Sequence, residues 1–397
     1  MTRPGHRLLR RWPVLACLLA GGCLSFHKEP PEPGRTNLGS KPIVLAAQIL
    51  DNHVILRVKW DKYGPYNFMI DTGSSVTLVT PDLAQRYGEK DVPLPVMPQV
   101  PVQSADGNSV LLPPAVLSRI ELGAARFSDV PVLVYDCASL STQLGIKIDG
   151  VLGFPLFRQT LLTLDYPNAK VILAPLPLLP AAGESTIGFA NLDKSPVIPM
   201  RLGERRLIVR IDTGSDEALS LNPRGLAVRF ASGPTEGPTV GTVAGDRAQR
   251  IGRLSQTLYL GGYAVPRPVV ELVDELSFIG GGVLKYFAVT FDQEHDEVTF
   301  RRDATDPIAI PGRRNTGLSF DKTPAYWRVA GVIPGSPADA ADVQLGDLVT
   351  QIDGEAVSAW DTRRYERLMA NAESVTYTFL NGTDKTPKKL RVADVVP

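Results

Sequence analysis

"FMIDTGSSVTLVTPDLAQRYG", Phe68 to Gly88, and "VRIDTGSDEALSLNPRGLAVRF", Val209 to Phe230, are the two stretches whose relationship decides the fold. Each follows an extended apolar run ("YNFMI" and "LIVRI") with Asp-Thr-Gly-Ser, a short apolar stretch and an N-cap residue before proline, Thr80-Pro81 and Asn222-Pro223. Those last pairs predict a short helix in each copy, because a side-chain oxygen caps free amides and proline fits the first helical turn. A lone Asp-Thr-Gly-Ser is a weak signal, since Asp and Ser also build Asx-turns at strand ends. Its return in the same context carries more weight.

Working outward, each copy is followed by a turn suited to a hairpin, "SADGNSV" with Asp106-Gly107 and "TVAGDRA" with Gly245-Asp246. Each region then closes alike, with Val151-Leu152-Gly153 matched by Phe278-Ile279-Gly280. Placing Gly153 on Gly280 sets Asp165 on Asp292 without a gap, and a strand, a turn and a second strand follow in register. Four matches in one order predict two homologous lobes, 43–178 and 184–302.

The composition agrees with a β-rich chain. Among 397 residues, Pro 34 and Gly 35 are abundant and aromatic residues are 7%, which suits many short strands and turns. In "VILRVKW", Val54, Leu56, Val58 and Trp60 share one face of a strand. The formal net charge is zero, and beyond the amino terminus the basic residues are scattered, which argues against a nucleic-acid groove.

The four histidines are His6, His27, His53 and His295, and no His-Glu-x-x-His, Cys-x-x-Cys or Gly-x-Ser-x-Gly occurs. Zinc hydrolysis and a serine-hydrolase elbow therefore find no support, and neither a metal nor a cofactor is expected. "IGGGVL", Ile279 to Leu284, lacks the Lys-Ser/Thr of a phosphate loop and reads as the closing turn of the second lobe.

The amino terminus reads as a targeting segment, with Arg3, Arg7, Arg10 and Arg11 before the apolar "VLACLLAGG". Leu19-Ala20-Gly21-Gly22-Cys23 resembles a bacterial lipobox, which implies lipidation of Cys23, removal of residues 1–22 and a membrane partner through that lipid. An ordinary secretory signal with an incidental cysteine is the alternative. Leu24 after Cys23 leans the expected location towards the outer membrane, facing the periplasm. Cleavage would remove four of the 42 basic residues and none of the 42 acidic ones, leaving a mildly acidic chain. A Pro- and Gly-rich tether is expected over 23–42. Cys137 would remain without an internal disulfide partner and reads as a structural core residue.

The paired motifs resemble the aspartic protease family, in its retropepsin-like bacterial branch, with two lobes fused in one chain as in pepsin. The resemblance covers about 43–302. It implies a mainly β fold, two aspartic-protease-like β-barrel lobes with few short helices. Two adjacent carboxylates cannot both ionise, so they share a proton; one can activate a water while the other donates to a scissile carbonyl. Asp71 and Asp212 are the expected dyad, without an obligate homodimer, and the sequence leaves open which is the base. Gly73 and Gly214 permit close approach of the loops. By the resemblance, Thr72 and Thr213 bond to the opposite loop, and Ser74 and Ser215 bond to their own carboxylates. Asp216 departs from the small hydroxyl residue usual there, which Ser75 supplies in the first copy; it would perturb the dyad or form an external ion pair. The expected flap at "VQSADGNSVLLP" lacks the tyrosine of pepsin-like enzymes.

After a linker at 303–313, the segment 314–397 resembles a bacterial PDZ domain, an α+β module. The carriers are Gly317-Leu318-Ser319-Phe320, Gly335-Ser336-Pro337-Ala338, Gly346-Asp347 and Asp353-Gly354. The resemblance implies a peptide ligand whose carboxylate meets the Gly317–Phe320 loop while its chain adds as a strand. Trp327 and Trp360 are expected as core or rim aromatics. The whole reads as an exported, lipid-anchored endopeptidase acting on polypeptides. The alternatives are a catalytically silent peptide-binding envelope protein and a lobe pair that processes one partner only.

Overall fold

The computed structural model describes residues 34–60, 62–88, 99–103, 109–176, 185–192, 194–242 and 245–396. The targeting segment, Cys23, most of the tether and the Asp106-Gly107 turn lie outside the described residues.

Strands dominate. In His53–Trp60, Arg57 and Lys59 point outward while Val54, Leu56, Val58 and Trp60 are buried. Trp60 stacks on Phe68 of the next strand with ring centroids 5.2 Å apart. Burying each such side chain contributes roughly 2 kcal/mol. In the second lobe, Ser195–Leu202 repeats the burial pattern of His53–Trp60 residue for residue.

Both lobes share one connectivity around the Asp-Thr-Gly loops. The strand Tyr63–Asp71 pairs in parallel with Gly150–Gly153, setting Gly153 beside Asp71. Thr77–Val79 lies antiparallel on the other side of Gly150–Gly153. In the second lobe, Arg205–Ile211 runs parallel to Phe278–Ile279, which also pairs antiparallel with Leu219–Leu221. The apolar pair before each closing glycine is therefore the strand wedged between the two arms of the loop. A short helix follows each, 3-10 at Phe154–Phe157 and α at Gly281–Leu284.

The lobes join through one continuous sheet. Leu161–Asp165 pairs antiparallel with Ala288–Asp292, centred on Thr163 opposite Thr290, whose hydroxyls hydrogen bond at 2.8 Å. The alignment that sets Gly153 on Gly280 also sets Thr163 on Thr290, so an approximate twofold axis passes between these two threonines. A single hydrophobic core spans both lobes, drawing on Leu162 and Leu164 from one side and Val289 and Phe291 from the other.

The carboxy-terminal region has its own core around Trp327, Val349, Tyr377 and Phe379. Its main sheet has Leu318–Lys322 at one edge, and the helix Thr362–Asn371 starts with Asp361 accepting from the Arg364 N–H. Trp327 is a core residue, while Trp360 carries the Arg364 guanidinium over its ring at 3.9 Å.

Several local expectations are corrected. The tether does not extend to Pro42, because Thr36–Asn37 already pairs as a strand with Phe127 and Arg126. The helix Pro81–Tyr87 forms, but the Thr80 hydroxyl makes no cap; the Thr80 carbonyl instead accepts from Leu83 and Ala84. No helix follows Asn222-Pro223. The Asn222 side chain accepts from the Arg224 N–H and donates to the Asp274 and Glu275 carbonyls, tying the segment into a turn. Gly245-Asp246 belongs to the paired strand Gly245–Leu254, opposite Thr242 and Gly241, so it is not the turn itself.

Candidate active site

Strand pairing brings the carboxy ends of Tyr63–Asp71 and Arg205–Ile211 to the lobe junction, where their loops meet. Thr72 and Thr213 lock them reciprocally. The Thr72 hydroxyl donates to the Ile211 carbonyl at 2.7 Å and accepts from the Thr213 N–H at 3.2 Å. The Thr213 hydroxyl donates to the Ile70 carbonyl at 2.8 Å and accepts from the Thr72 N–H at 3.0 Å. Both threonines are wholly buried.

The approach of the loops leaves no room for side chains at the two glycines. A methyl group on Gly73 would stand 2.5 Å from Cγ of Asp212, and one on Gly214 would stand 2.5 Å from Cγ of Asp71. The two carboxyl groups hydrogen bond to each other. Asp71 Oδ1 also accepts from the N–H groups of Gly73 and Ser74, at 2.8 and 3.1 Å, and Asp212 Oδ1 accepts from the Gly214 N–H at 2.9 Å.

The pair is electrostatically unequal. Burial first, then the charge of Asp212 and the hydrogen bond between them, hold Asp71 well above the usual carboxylate range. Burial also raises Asp212, but Arg210, the shared hydrogen bond, the Gly214 N–H and His53 all oppose it. Burial raises both carboxyls, so the pair shares a proton and the two titrate as one coupled system.

The serines differ from expectation. The Ser74 hydroxyl donates to the Val76 carbonyl at 2.8 Å, and only its backbone N–H serves Asp71. The Ser215 hydroxyl accepts from the Glu217 N–H at 3.2 Å. Each hydroxyl closes the chain just beyond its own loop.

Two neighbours carried no signal in the sequence. Asn52 Nδ2 donates to the Asp216 carbonyl at 2.9 Å, and His53 Nε2 lies 3.1 Å from the Gly214 carbonyl. Both come from a hairpin of the first lobe, more than 160 residues from their partners. Only the folded arrangement of lobes reveals them.

The side chain of Asp216 enters an ion-pair cluster. Arg313 Nη2 lies 2.5 Å from Glu217 Oε1 and 3.4 Å from Asp216 Oδ2, while Nη1 donates to Gln249 Oε1 at 2.9 Å. Gln249 donates in turn to Glu217 Oε1 at 2.6 Å. Burial, then Glu217 and Asp51, push Asp216 well above its ordinary range, with Arg313 opposing. Burial pulls Arg313 down, but the Glu217 and Asp216 charges outweigh it and raise it. Of the two roles open to Asp216, the structure shows the external ion pair, and its partner stands at the entrance to the carboxy-terminal region.

A cavity of about 530 Å³ opens between that region and the lobes. Leu318, Phe320 and Met369 line one side; Asn52, Asp216 and Lys285 line the other. Gly317, with φ +98°, precedes the edge strand, and Asn315 Oδ1 accepts from the N–H groups of Gly317 and Leu318 at 2.8 and 3.1 Å. Ser319 lies on the edge strand beside the helix Ala138–Leu144 of the first lobe. Glu366, exposed by area, turns its carboxyl to a hydrogen bond with Asp51; burial of that group, then the Asp51 charge, push it up to about 7 against the pull of Lys322. Cys137 is a core group, its thiol pushed up to about 12 by burial.

Comparison with known proteins agrees with this geometry. Residues 56–156 match the family model of aspartyl proteases, and residues 328–380 match that of PDZ domains. No protein of curated function matches the chain. Among solved structures, a PDZ domain protein from Parabacteroides distasonis is 17% identical, with a TM-score of 0.19, covering 21% of this chain and 20% of that one. The match thus spans a fifth of that protein. The HtrA3 PDZ domain bound to a phage-derived ligand is 15% identical, with a TM-score of 0.19, covering 21% of this chain and 88% of that one. The chain carries an aspartyl protease domain and, after it, a PDZ domain, in a mainly β framework.

Proposed function

We propose that the chain is an aspartic endopeptidase that hydrolyses peptide bonds with a water activated by Asp71 and Asp212. The observation that carries this reading is the mutually hydrogen-bonded carboxyl pair on two loops gripped by Thr72 and Thr213. The ionised member of the pair is the base that takes a proton from the water. The protonated member donates the shared proton to the oxygen of the scissile carbonyl. The water oxygen bonds to the carbonyl carbon, and collapse of the tetrahedral intermediate breaks the C–N bond as the amine takes a proton from the dyad.

The PDZ domain binds a peptide tail of a substrate or regulator at the Gly317–Phe320 loop and its edge strand. Cys23 carries a lipid that tethers the protein in the bacterial envelope, at the outer membrane and facing the periplasm. The support for the tether is the Leu19–Cys23 sequence.

The test is cleavage of a denatured protein library by the full chain in detergent, from acid to neutral pH, beside Asp71→Asn and Asp212→Asn. Cleavage lost in both variants is expected. Cleavage that survives both overturns the dyad, and a wild-type chain that cleaves nothing favours a silent peptide-binding protein. For the anchor, Cys23→Ala is expected to leave the membrane fraction; unchanged retention counts against lipidation.

A further inference from the structure

The hairpin joining Ile43–Leu50 to His53–Trp60 turns through Asp51 and Asn52, at φ 46° and 62°. Two left-handed central residues are the geometry of a tight two-residue hairpin turn, and Asp and Asn are among the side chains that tolerate it. The turn projects towards the second catalytic loop.

His53 is buried, with Nδ1 3.2 Å from the Leu50 carbonyl and Nε2 3.1 Å from the Gly214 carbonyl. Carbonyl oxygens only accept, so the ring hydrogen bonds to the Gly214 carbonyl when Nε2 carries the hydrogen. Gly214 is the residue whose own N–H donates to Asp212. His53 therefore grips the carbonyl side of the residue whose amide side holds a catalytic carboxylate. Asn52 binds the same loop two residues on, at the Asp216 carbonyl.

The second lobe carries a different side chain at this register. Ser195 occupies the register of His53, and its hydroxyl donates to the Leu192 carbonyl at 2.8 Å, three residues back, as His53 meets Leu50. A hydroxymethyl group is too short to cross to the opposite loop. The lobes are thus alike in backbone and differ at this inward position.

We infer that His53, assisted by Asn52, is a positioning residue that holds the second catalytic loop and with it the Asp212 carboxyl. The inference rests on the endopeptidase reading. His53 also favours the charged form of Asp212. The titratable and charged groups around this junction include Asp71, Arg210 and Tyr166 near Asp212, Asp51 in the turn, and Asp216 and Glu217 with Arg313 beyond Asn52.

The test compares His53→Ala and His53→Gln in the full chain, with thermal melts to establish folding. His53→Ala is expected to lower kcat about tenfold, the scale of one lost positioning hydrogen bond, with KM within about twofold. Its acidic limb should move up, because a group favouring ionised Asp212 is gone. His53→Gln keeps a donor for the Gly214 carbonyl and should recover most of kcat without restoring the limb. Equal kinetics in both variants, or a His53→Ala profile matching the wild type, overturns the inference.

A readout independent of turnover separates this from the fate of the endopeptidase reading. In carboxyl ¹³C spectra of labelled aspartate, with Asp71→Asn and Asp212→Asn as assignments, the first ionisation of the pair should move up in His53→Ala. If the wild-type chain cleaves nothing but this shift appears, the endopeptidase reading fails and the positioning stands. An unmoved titration overturns the positioning.

Discussion

Thr72→Val tests the interlobe lock directly. The substitution keeps the volume and removes one hydroxyl, which donates to the Ile211 carbonyl and accepts from the Thr213 N–H. Both partners lie in the buried loop junction, away from replacement water. Each orphaned buried group costs about 1–3 kcal/mol, so with two of them the variant should lose about 2–6 kcal/mol of stability. Thr72→Ser keeps the hydroxyl and sheds one methyl, which costs about 1 kcal/mol. The partners of the Thr213 hydroxyl, Ile70 and the Thr72 N–H, are a separate set. Thr213→Val should therefore cost a similar amount, and the double variant should lose close to the sum unless the loops separate together. Urea unfolding gives the free energies, and kcat/KM on a cleaved peptide reports dyad alignment. Thr72→Val and Thr72→Ser agreeing within about 0.5 kcal/mol would refute the reasoning, since the hydroxyl would then be irrelevant.

Three further outcomes follow from the geometry. Gly214→Ala drives a methyl group to 2.5 Å from Cγ of Asp71, so kcat/KM should fall at least about a hundredfold; retained activity in a steady-state assay would show that the loops are not pressed together. Arg313→Met strips the cation from Glu217, whose side chain is 4% exposed, and should cost about 3 kcal/mol, with Glu217→Gln in the same background recovering part of it in denaturant titrations. Glu366 is raised in the folded state to about 7 from an ordinary value of 4.5, so the native protein binds more protons between those limits and its stability falls as pH rises through them. The fall should be small, because Glu366 is exposed by area, and a Glu366→Gln melt should lack it; a wild-type melting temperature flat from about pH 5 to 7 would contradict the Asp51 contact.

Much of the architecture was legible because it is written in local pattern. Alternation in His53–Trp60, the apolar pair before Gly153 and Gly280, and the gapless run to Asp165 and Asp292 each record a strand that must bury one face or wedge between others. The Gly-Ser-Pro-Ala and Gly-Asp spacings recorded the turns of the PDZ region in the same way. Local chemistry also misled. Asn222-Pro223 has the residues of a helix start, yet the Asn222 side chain is taken by carbonyls at 274 and 275, a competition no local pattern expresses.

The sequence alone determined that this protein has two related lobes, each bringing an aspartate on an Asp-Thr-Gly loop, followed by an α+β module, because repeats and periodicities are properties of neighbouring residues. Tertiary structure decided how the halves are made unequal. Asn52 and His53 reach the second loop across more than 160 residues, Arg313 claims Asp216 and Glu217 from 97 and 96 residues away, and the serine hydroxyls turn from the carboxylates to local backbone. Those choices depend on which donors and acceptors burial leaves without water, and that is settled only when the lobes close on each other.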